Sequence, residues 1–483
     1  MASLEVLSFG EDLGGAFSFM TIKFGTDGWR AIIADEYTVE NVKRVAEATA
    51  RWMKQNGYKK AVIGHDCRFG GELFAETTAR VLGTFNIKVQ LAKDFVSTPM
   101  VSLGVVKTKS DVGIVITASH NPADYNGFKL KSSAGGPMLP QHIEEVEALI
   151  PKKCSRALVS LEDLVAKKKV QYIDLEEMYI KHAEKNFDLK AIRKSNVRLA
   201  YDAMYGAGQR ALMRLLPDAT MLHCEYNPSF MGQAPEPIHR NLLELSNLLK
   251  NDPKLNVGLA NDGDADRIGM YDEDGVFVDS HHILLLLLMY MYKYKQMTGD
   301  VVITFSVTDK MKKLSELFGL NYTVTKIGFK YIAEIMAKED ILVGGEESGG
   351  LAVKGHIPER DGIWIGLVIL EYMAKSGKTL KGLIQEVYDL VGSFAFDRYD
   401  LHLKEEQKQA IIAKCKAFSY PAFGKYAVTS TESLDGFKFN LGEGEWLMIR
   451  PSGTEPVLRV YAQAATNEEA VAILEAAKAT LLG

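Results

Sequence analysis

From residue 23 onward, amphipathic helical stretches alternate with short β-branched runs, a rhythm that calls for parallel strands joined by crossover helices. Residues 39–55 carry helical periodicity, and a buried-strand run follows at 60–64. A second helix is expected at 72–82 and a strand at 88–92, and residues 111–117 (DVGIVIT) read as a strand feeding directly into a polar turn. The rhythm restarts at 197 (VRLAYDAMYGAG) and again at 300 (DVVITFSVTD), so three similar α/β units with mainly parallel mixed sheets are expected. The tail differs: a helix near 405–418, short strands around 446–450 and 457–462, and a helix at 467–482 make a smaller α+β unit.

At 483 residues the chain exceeds one ordinary core. The expected division is an N-terminal extension over 1–20, then domains at 21–168, 169–276, 277–392 and 393–483. The joints fall at the basic stretch 151–169, at the turn-rich DEDG of 272–275 and near 392–400.

With 47% hydrophobic and 25% charged residues, the chain can bury large cores. A formal net charge of -5 and a pI near 6.1 leave no global positive field for nucleic acid, although local clusters can still bind small anions. Cys67, Cys154, Cys224 and Cys415 lack C-x-x-C pairing, which argues against disulfides or structural zinc and for a reducing cytoplasm. The longest apolar run, 283–292, is far short of the roughly 20 residues that cross a bilayer, so a buried helix is expected there. Residues 1–20 lack the basic start and continuous apolar stretch of a signal peptide.

Four clusters carry chemistry. In T-A-S-H-N-P, residues 117–122, Ser119 follows a strand at the carboxyl edge of a sheet, where ligands of such sheets bind, and His120 and Asn121 add polar groups. The surrounding residues are not the G-x-S-x-G elbow of acyl-transferring hydrolases, and a phosphoryl group suits this hydroxyl if a cation neutralises it. N-D-G-D-A-D-R, residues 261–267, offers that cation site: Asp262, Asp264 and Asp266 at alternating positions can converge on a hard ion. An EF-hand is the rival, with Glu273 at loop position twelve, but Arg267 stands where such a loop needs Gly and a strand precedes it. Arg267 itself carries a fork suited to phosphate.

In G-G-E-E-S-G-G, residues 344–350, glycines allow close backbone approach, and Glu346 with Ser348 can bond sugar hydroxyls; a plain Gly-rich turn is the alternative. In R-P-S-G-T-E-P, residues 450–456, Arg450, Ser452, Thr454 and the amides around Gly453 form a donor set for phosphate, with a simple hairpin loop as the alternative. No Walker lysine follows, so a P-loop is not supported.

In this order, the four clusters resemble the α-D-phosphohexomutase family, which includes phosphoglucomutases, phosphomannomutases and phosphoglucosamine mutases; the likeness runs from residue 23 to the C-terminus. The resemblance implies three α/β domains and a smaller fourth around a central cleft, each giving one loop. It implies that Ser119 is the phosphoserine, that Asp262, Asp264 and Asp266 bind Mg2+ together with an oxygen on Ser119, and that His120 and Arg267 belong to the catalytic group. Glu346 and Ser348 resemble the sugar readers, and Arg450, Ser452, Gly453 and Thr454 the clamp on the non-reacting phosphate. Arg30 in F-G-T-D-G-W-R, Lys129 in D-Y-N-G-F-K and Lys326 in T-K-I-G match further family positions: facing the serine, proposed for proton transfer or charge neutralisation, and facing substrate.

The implied activity is interconversion of hexose 1-phosphate and hexose 6-phosphate, with glucose preferred and mannose accepted. Glucose 1,6-bisphosphate would serve as intermediate and activator. Phosphoglucosamine mutase and a metal-dependent phosphatase are the alternatives. The expected partners are small-molecule sugar phosphates, with no nucleic acid or membrane, for a monomer or homodimer. One departure stands out: where many members read G-E-x-S-G-H, the His position is Gly350, so the contact is either absent or supplied by another residue, with His356 the candidate.

Overall fold

The computed structural model describes residues 21–25, 27–451 and 457–483. The first sheet has six strands in the order Trp29–Ile32, Tyr125–Lys131, Val112–Ile116, Lys60–His65, Lys88–Ala92, Val170–Ile173. The last four run parallel, and the first two are antiparallel additions at one edge. Val112–Ile116 is buried along its whole length, as a continuous apolar run at the centre of a two-sided sheet must be.

The second sheet repeats the theme, with Leu199–Asp202 parallel to Thr220–Leu222 and Val257–Asn261, then Ile268–Tyr271 and Phe277–Val278 antiparallel. In the third, Asp300–Thr304 lies parallel to Tyr322–Thr325 and Ile341–Gly345, with Leu351–Val353 antiparallel at the edge. Three of the chemical loops therefore begin at the carboxyl ends of parallel strands: Ile116 leads to Ser119, Asn261 to the acidic loop and Gly345 to Glu346. The fourth sheet, Ala395–His402, Val457–Ala464, Glu445–Pro451, Phe437–Gly442 and Ser430–Glu432, is wholly antiparallel, and the helices Glu405–Lys416 and Asn467–Leu482 pack on it.

One apolar core runs through the first three units, joining Val62 and Val101 to Tyr201 and Leu259 and on to Val301 and Leu342. At its centre the helix Ser280–Met289 is buried from Ile283 to Met289, and it continues as a π-helical turn, Tyr290–Tyr294. Among the described residues no helix is long and apolar enough to cross a membrane.

Two expected joints lie against strands of the sheets. The stretch 151–169 contains the helix Leu161–Ala166, and Val170–Ile173 then pairs with Lys88–Ala92, so the first sheet extends past residue 168. Four residues with two exposed side chains leave no periodicity to read. The DEDG at 272–275 is a hairpin turn inside the second sheet, with Gly275 in the left-handed region, and the sheet ends at Val278. Turn chemistry marks a reversal of the chain whether or not a domain ends there.

The fourth unit has its own core around Leu447, Ile449, Leu458 and Ile473. Its attachment is local. Phe305 of the third unit packs with Trp446, Met448 and Tyr461, and the Asp309 carboxylate accepts from Trp446 Nε1 at 2.9 Å and Gln463 Nε2 at 2.8 Å. Asp309→Ala leaves Trp446 Nε1 unpaired and Gln463 Nε2 with only the Gly444 carbonyl, and should weaken the fourth unit by about 1–3 kcal/mol. Calorimetry with limited proteolysis should show a lower transition for that unit and faster cleavage near residues 392–395, with the melting of the other three unchanged.

Candidate active site

Ser119 sits in the left-handed region (φ 54°), a conformation that costs a non-glycine residue free energy and needs outside support. Arg68, almost fully buried, provides it. Its guanidinium donates to the carbonyls of Ser119, Asn121 and Pro122, each at 2.6 Å, and of Tyr125 at 3.0 Å. Asp66 lies 3.3 Å from Arg68 Nε and accepts from Thr117 Oγ1, which in turn accepts from the Ser119 N–H at 2.9 Å. The Phe230 ring packs on the guanidinium at 5.0 Å. The serine turn is thus built from behind by residues on the neighbouring strand end.

The acidic loop spans the hairpin between Val257–Asn261 and Ile268–Tyr271, closed by Asn261 Nδ2 donating to the Arg267 carbonyl at 2.7 Å. Strands on both sides, together with Glu273 lying in the next turn and accepting from the Lys381 N–H, exclude an EF-hand. Gly263 is required here: a Cβ would lie 2.5 Å from the Ser119 carbonyl, so the two loops meet backbone to backbone. Ser119 Oγ donates to Asp262 Oδ2 at 2.6 Å.

Asp262, Asp264 and Asp266 are fully buried and bring ligand oxygens within 4.8 Å of one another. Asp264 Oδ1 and Asp266 Oδ1 have no hydrogen-bond partner, while their Oδ2 atoms are held by Lys129 at 2.8 and 3.1 Å. Thr98 Oγ1 adds a bond to Asp264 Oδ2 at 2.5 Å. Paired outer oxygens and orphaned inner ones fit a divalent cation with oxygen ligands. Burial, with Asp264 and Asp266 beside it, raises the Asp262 carboxyl well above its usual range. Burial also works against Asp264, but Lys129, Thr98 and Arg360 together bring it below the usual range.

A second tier of charges surrounds the acids. Lys129 also pairs with Asp27 at 2.9 Å, and the three carboxylates outweigh burial and keep its ammonium charged. Asp27 is held low, against burial, by Arg360, Lys129, Lys131 and Arg30. Arg30 donates to Asn121 Oδ1 at 2.6 Å. His120 Nδ1 lies 3.4 Å from Ser119 Oγ, and burial followed by Arg267, Arg30, Lys129 and Arg68 keeps the ring neutral at neutral pH. Arg267 has a buried Nε without a hydrogen-bond partner, and its Nη1 is 3.9 Å from Glu236.

Glu346 is buried, and its carboxyl is raised by that burial, with Arg360 Nη1 3.8 Å away working in the opposite direction. Ser348 is half-buried. Glu347, between them, pairs with Arg398 of the fourth unit at 3.5 Å. His356 does not take the place of the missing histidine: its Nε2 is 2.8 Å from Asp361 and its ring stacks on Trp364 at 3.8 Å, inside a buried cluster with His182. Lys326 is exposed at the edge of the third unit. Arg450 lies near it, because Asp435 Oδ2 accepts from the Ile327 N–H at 2.9 Å and sits 3.3 Å from Arg450 Nη2. Arg450 Nε is buried without a hydrogen-bond partner, whereas Ser452, Gly453 and Thr454 lie outside the described residues, as do residues 1–20.

Sequence reasoning missed Asp66, Arg68, Thr98, Asp27 and Arg360. Asp27 stands inside F-G-T-D-G-W-R, a stretch already singled out, and Arg360 inside G-H-I-P-E-R-D-G, residues 355–362; the other three had no local signal.

Comparison with known proteins follows the same plan. Four family descriptions match in chain order: "Phosphoglucomutase/phosphomannomutase, alpha/beta/alpha domain I" over residues 21–157, domain II over 177–275, domain III over 279–391 and the C-terminal domain over 402–480. A Methanococcus maripaludis phosphoglucosamine mutase is 30% identical over 468 residues, 94% of this chain and 96% of that protein. The chain belongs to the α-D-phosphohexomutase family. A Thermococcus kodakarensis phosphoglucomutase/phosphomannomutase is 29% identical over 466 residues, 94% of this chain and 96% of its own length. A solved Thermus thermophilus structure, titled as a phosphomannomutase, is 34% identical with a TM-score of 0.84, covering 96% of this chain and 100% of its own. Membership makes this phosphohexomutase an isomerase of the intramolecular phosphotransferase type.

Arg68 is the support whose removal is most damaging, because Asp66 would be left buried and unpaired. Arg68→Ala should destabilise the protein by about 3–5 kcal/mol, as breaking a buried ion pair does. Chemical denaturation should show that loss, and Arg68→Lys should recover only part of it, since an ammonium cannot reach four carbonyls.

Proposed function

We propose that this phosphohexomutase interconverts hexose 1-phosphate and hexose 6-phosphate through a phosphorylated Ser119 and a hexose 1,6-bisphosphate intermediate. The observation that carries this reading is the 2.6 Å approach of Ser119 Oγ to Asp262 beside the unpartnered oxygens of Asp264 and Asp266. Asp262, Asp264, Asp266 and an oxygen on Ser119 would hold Mg2+. When bound, that ion supplies the positive charge that makes a phosphoserine beside three carboxylates tolerable and its phosphoryl group transferable.

The family resemblance supplies the further roles, and geometry and protonation support those of His120, Lys129, Arg267 and Arg30. Arg450 and the loop 452–454 hold the non-reacting phosphate while Glu346 and Ser348 bond the sugar hydroxyls, and Lys326 adds a cation at the same end. Phospho-Ser119 passes its phosphoryl group to the free hydroxyl. The new P–O bond forms as the bond to Ser119 Oγ breaks, and the hydroxyl proton moves to Oγ. His120, neutral and 3.4 Å from Oγ, can relay that proton; Lys129, held charged by three acids, neutralises and does not accept. Arg267 offers its unpaired Nε–H to the transferring group, and Arg30 orients Asn121 beside it. The bisphosphate then turns in the cleft and returns its other phosphate to Ser119, so both ends must be read alike.

Two sugars have support. G-H-I-P-E-R-D-G and F-G-T-D-G-W-R favour glucose, with glucose 1,6-bisphosphate as activator, whereas relatives of similar identity carry the phosphoglucosamine mutase name and favour glucosamine. The relatives reported above carry mutase names, which leaves transfer to water without support among them.

Ser119→Ala should remove the phosphopeptide seen by intact mass and lower mutase turnover at least about a thousandfold, with an unchanged melting curve. Normal turnover in that variant refutes the serine assignment. Turnover of glucose, mannose and glucosamine 1-phosphates measured side by side should differ by about tenfold or more between the best and worst substrate, and the ranking decides the sugar.

A further inference from the structure

Arg360 is the side chain on which three domains converge. Its Nη2 pairs with Asp27 of the first unit and lies 2.7 Å from Asp266 Oδ2 in the acidic loop of the second. Its Nη1 lies 3.8 Å from Glu346 Oε1 in the sugar loop of the third. The residue is 4% exposed, and its Nε has no hydrogen-bond partner, so the guanidinium is committed to acids and not to solvent. The path of this side chain is tied to a neighbouring glycine. A Cβ at Gly350 would stand 2.5 Å from Arg360 Cδ and 2.8 Å from Glu346 Oε1, distances at which something must move. The space that a side chain at 350 would take is filled by the stem of Arg360.

We propose that Arg360 is a positioning residue that locks the sugar loop to the metal loop, with Gly350 as the companion whose missing side chain lets it through. The two arms of the fork divide the work. Nη2, shared between Asp27 and Asp266, holds the outer oxygen of the acidic loop and leaves its inner oxygen free for a cation. Nη1 sets the place of Glu346 relative to that loop. A sugar read by Glu346 is thereby placed at a fixed distance from the group on Ser119. The proposal deepens the function proposed above and rests on it.

The test uses the full-length protein with Mg2+ binding by calorimetry and mutase kinetics in parallel. Arg360→Lys keeps one charge where Nη2 sits and loses the second arm. Mg2+ affinity should stay within about threefold of the parent while KM for the sugar phosphate rises about tenfold and kcat falls less. Arg360→Ala should weaken both Mg2+ binding and kcat/KM by about a hundredfold. Gly350→Ala should lower kcat/KM by about tenfold on its own and by clearly less in the Arg360→Ala background, because the contact with the Arg360 stem is gone and only the one with Glu346 Oε1 remains. Arg360→Lys and Gly350→Ala keep the question open to refutation if Arg360→Ala does not fold. A Lys variant with unchanged KM, or Gly350→Ala and Arg360→Ala effects that simply multiply, overturns the lock. Absence of mutase turnover in the parent protein overturns the proposed function instead, so the two failures are told apart.

Discussion

Three wholly buried carboxylates crowd within 4.8 Å where the acidic loop meets the serine loop, and such a cluster is stable only with positive charge on every side. Most of the surrounding structure follows from that requirement. Lys129 and Arg360 hold the outer oxygens, Asp27 holds those two cations in turn, and the inner oxygens are left for an ion. The same tension leaves Asp262 raised and Asp264 lowered: burial works against both, but Asp264 lies against Lys129, whereas Asp262 receives its bonds from Ser119 and a backbone amide. A neutral histidine beside Ser119 belongs to the same pattern, since burial and then the four cations around it disfavour a fifth charge.

The partition of the core explains which parts can hold this tension and which are free to move. The first three units share one apolar core, so the serine loop, acidic loop and sugar loop are fixed against one another. The fourth unit has a separate core and meets the third through an aromatic contact and a few polar ones around Asp309, Asp435 and Arg398. The phosphate clamp proposed for this separately packed unit suits the proposed reaction, whose intermediate must turn over while one phosphate stays held.

Legibility from sequence tracked how local each signal is. The helix at 39–55 stands where its periodicity placed it, because amphipathic spacing over four turns is set by the chain itself. The buried strand at 112–116 and the acids at 262, 264 and 266 were legible for the same reason: an apolar run and a carboxylate alternation need no distant partner. The short strand Val170–Ile173, just past the joint read at 151–169, and the pairing around the DEDG turn were not legible, since pairing depends on a neighbouring strand. Arg68 reads as an ordinary residue in D-C-R-F, and only the fold reveals that its guanidinium spans the carbonyls of a turn some fifty positions away. His356 was a reasonable substitute for the absent histidine until packing put its ring against Trp364.

By itself the amino-acid sequence determined the order of elements, the four loops and the kinds of group each loop offers, because hydrophobic period, turn residues and ligand spacing are properties of neighbours along the chain. The tertiary structure decided which acids are paired and which are free, which histidine faces the serine and which is buried elsewhere, and why residue 350 carries no side chain. Those outcomes depend on burial and on charges brought together from residues 27, 129, 266, 346 and 360, whose separation in sequence carries no record of their distances in space.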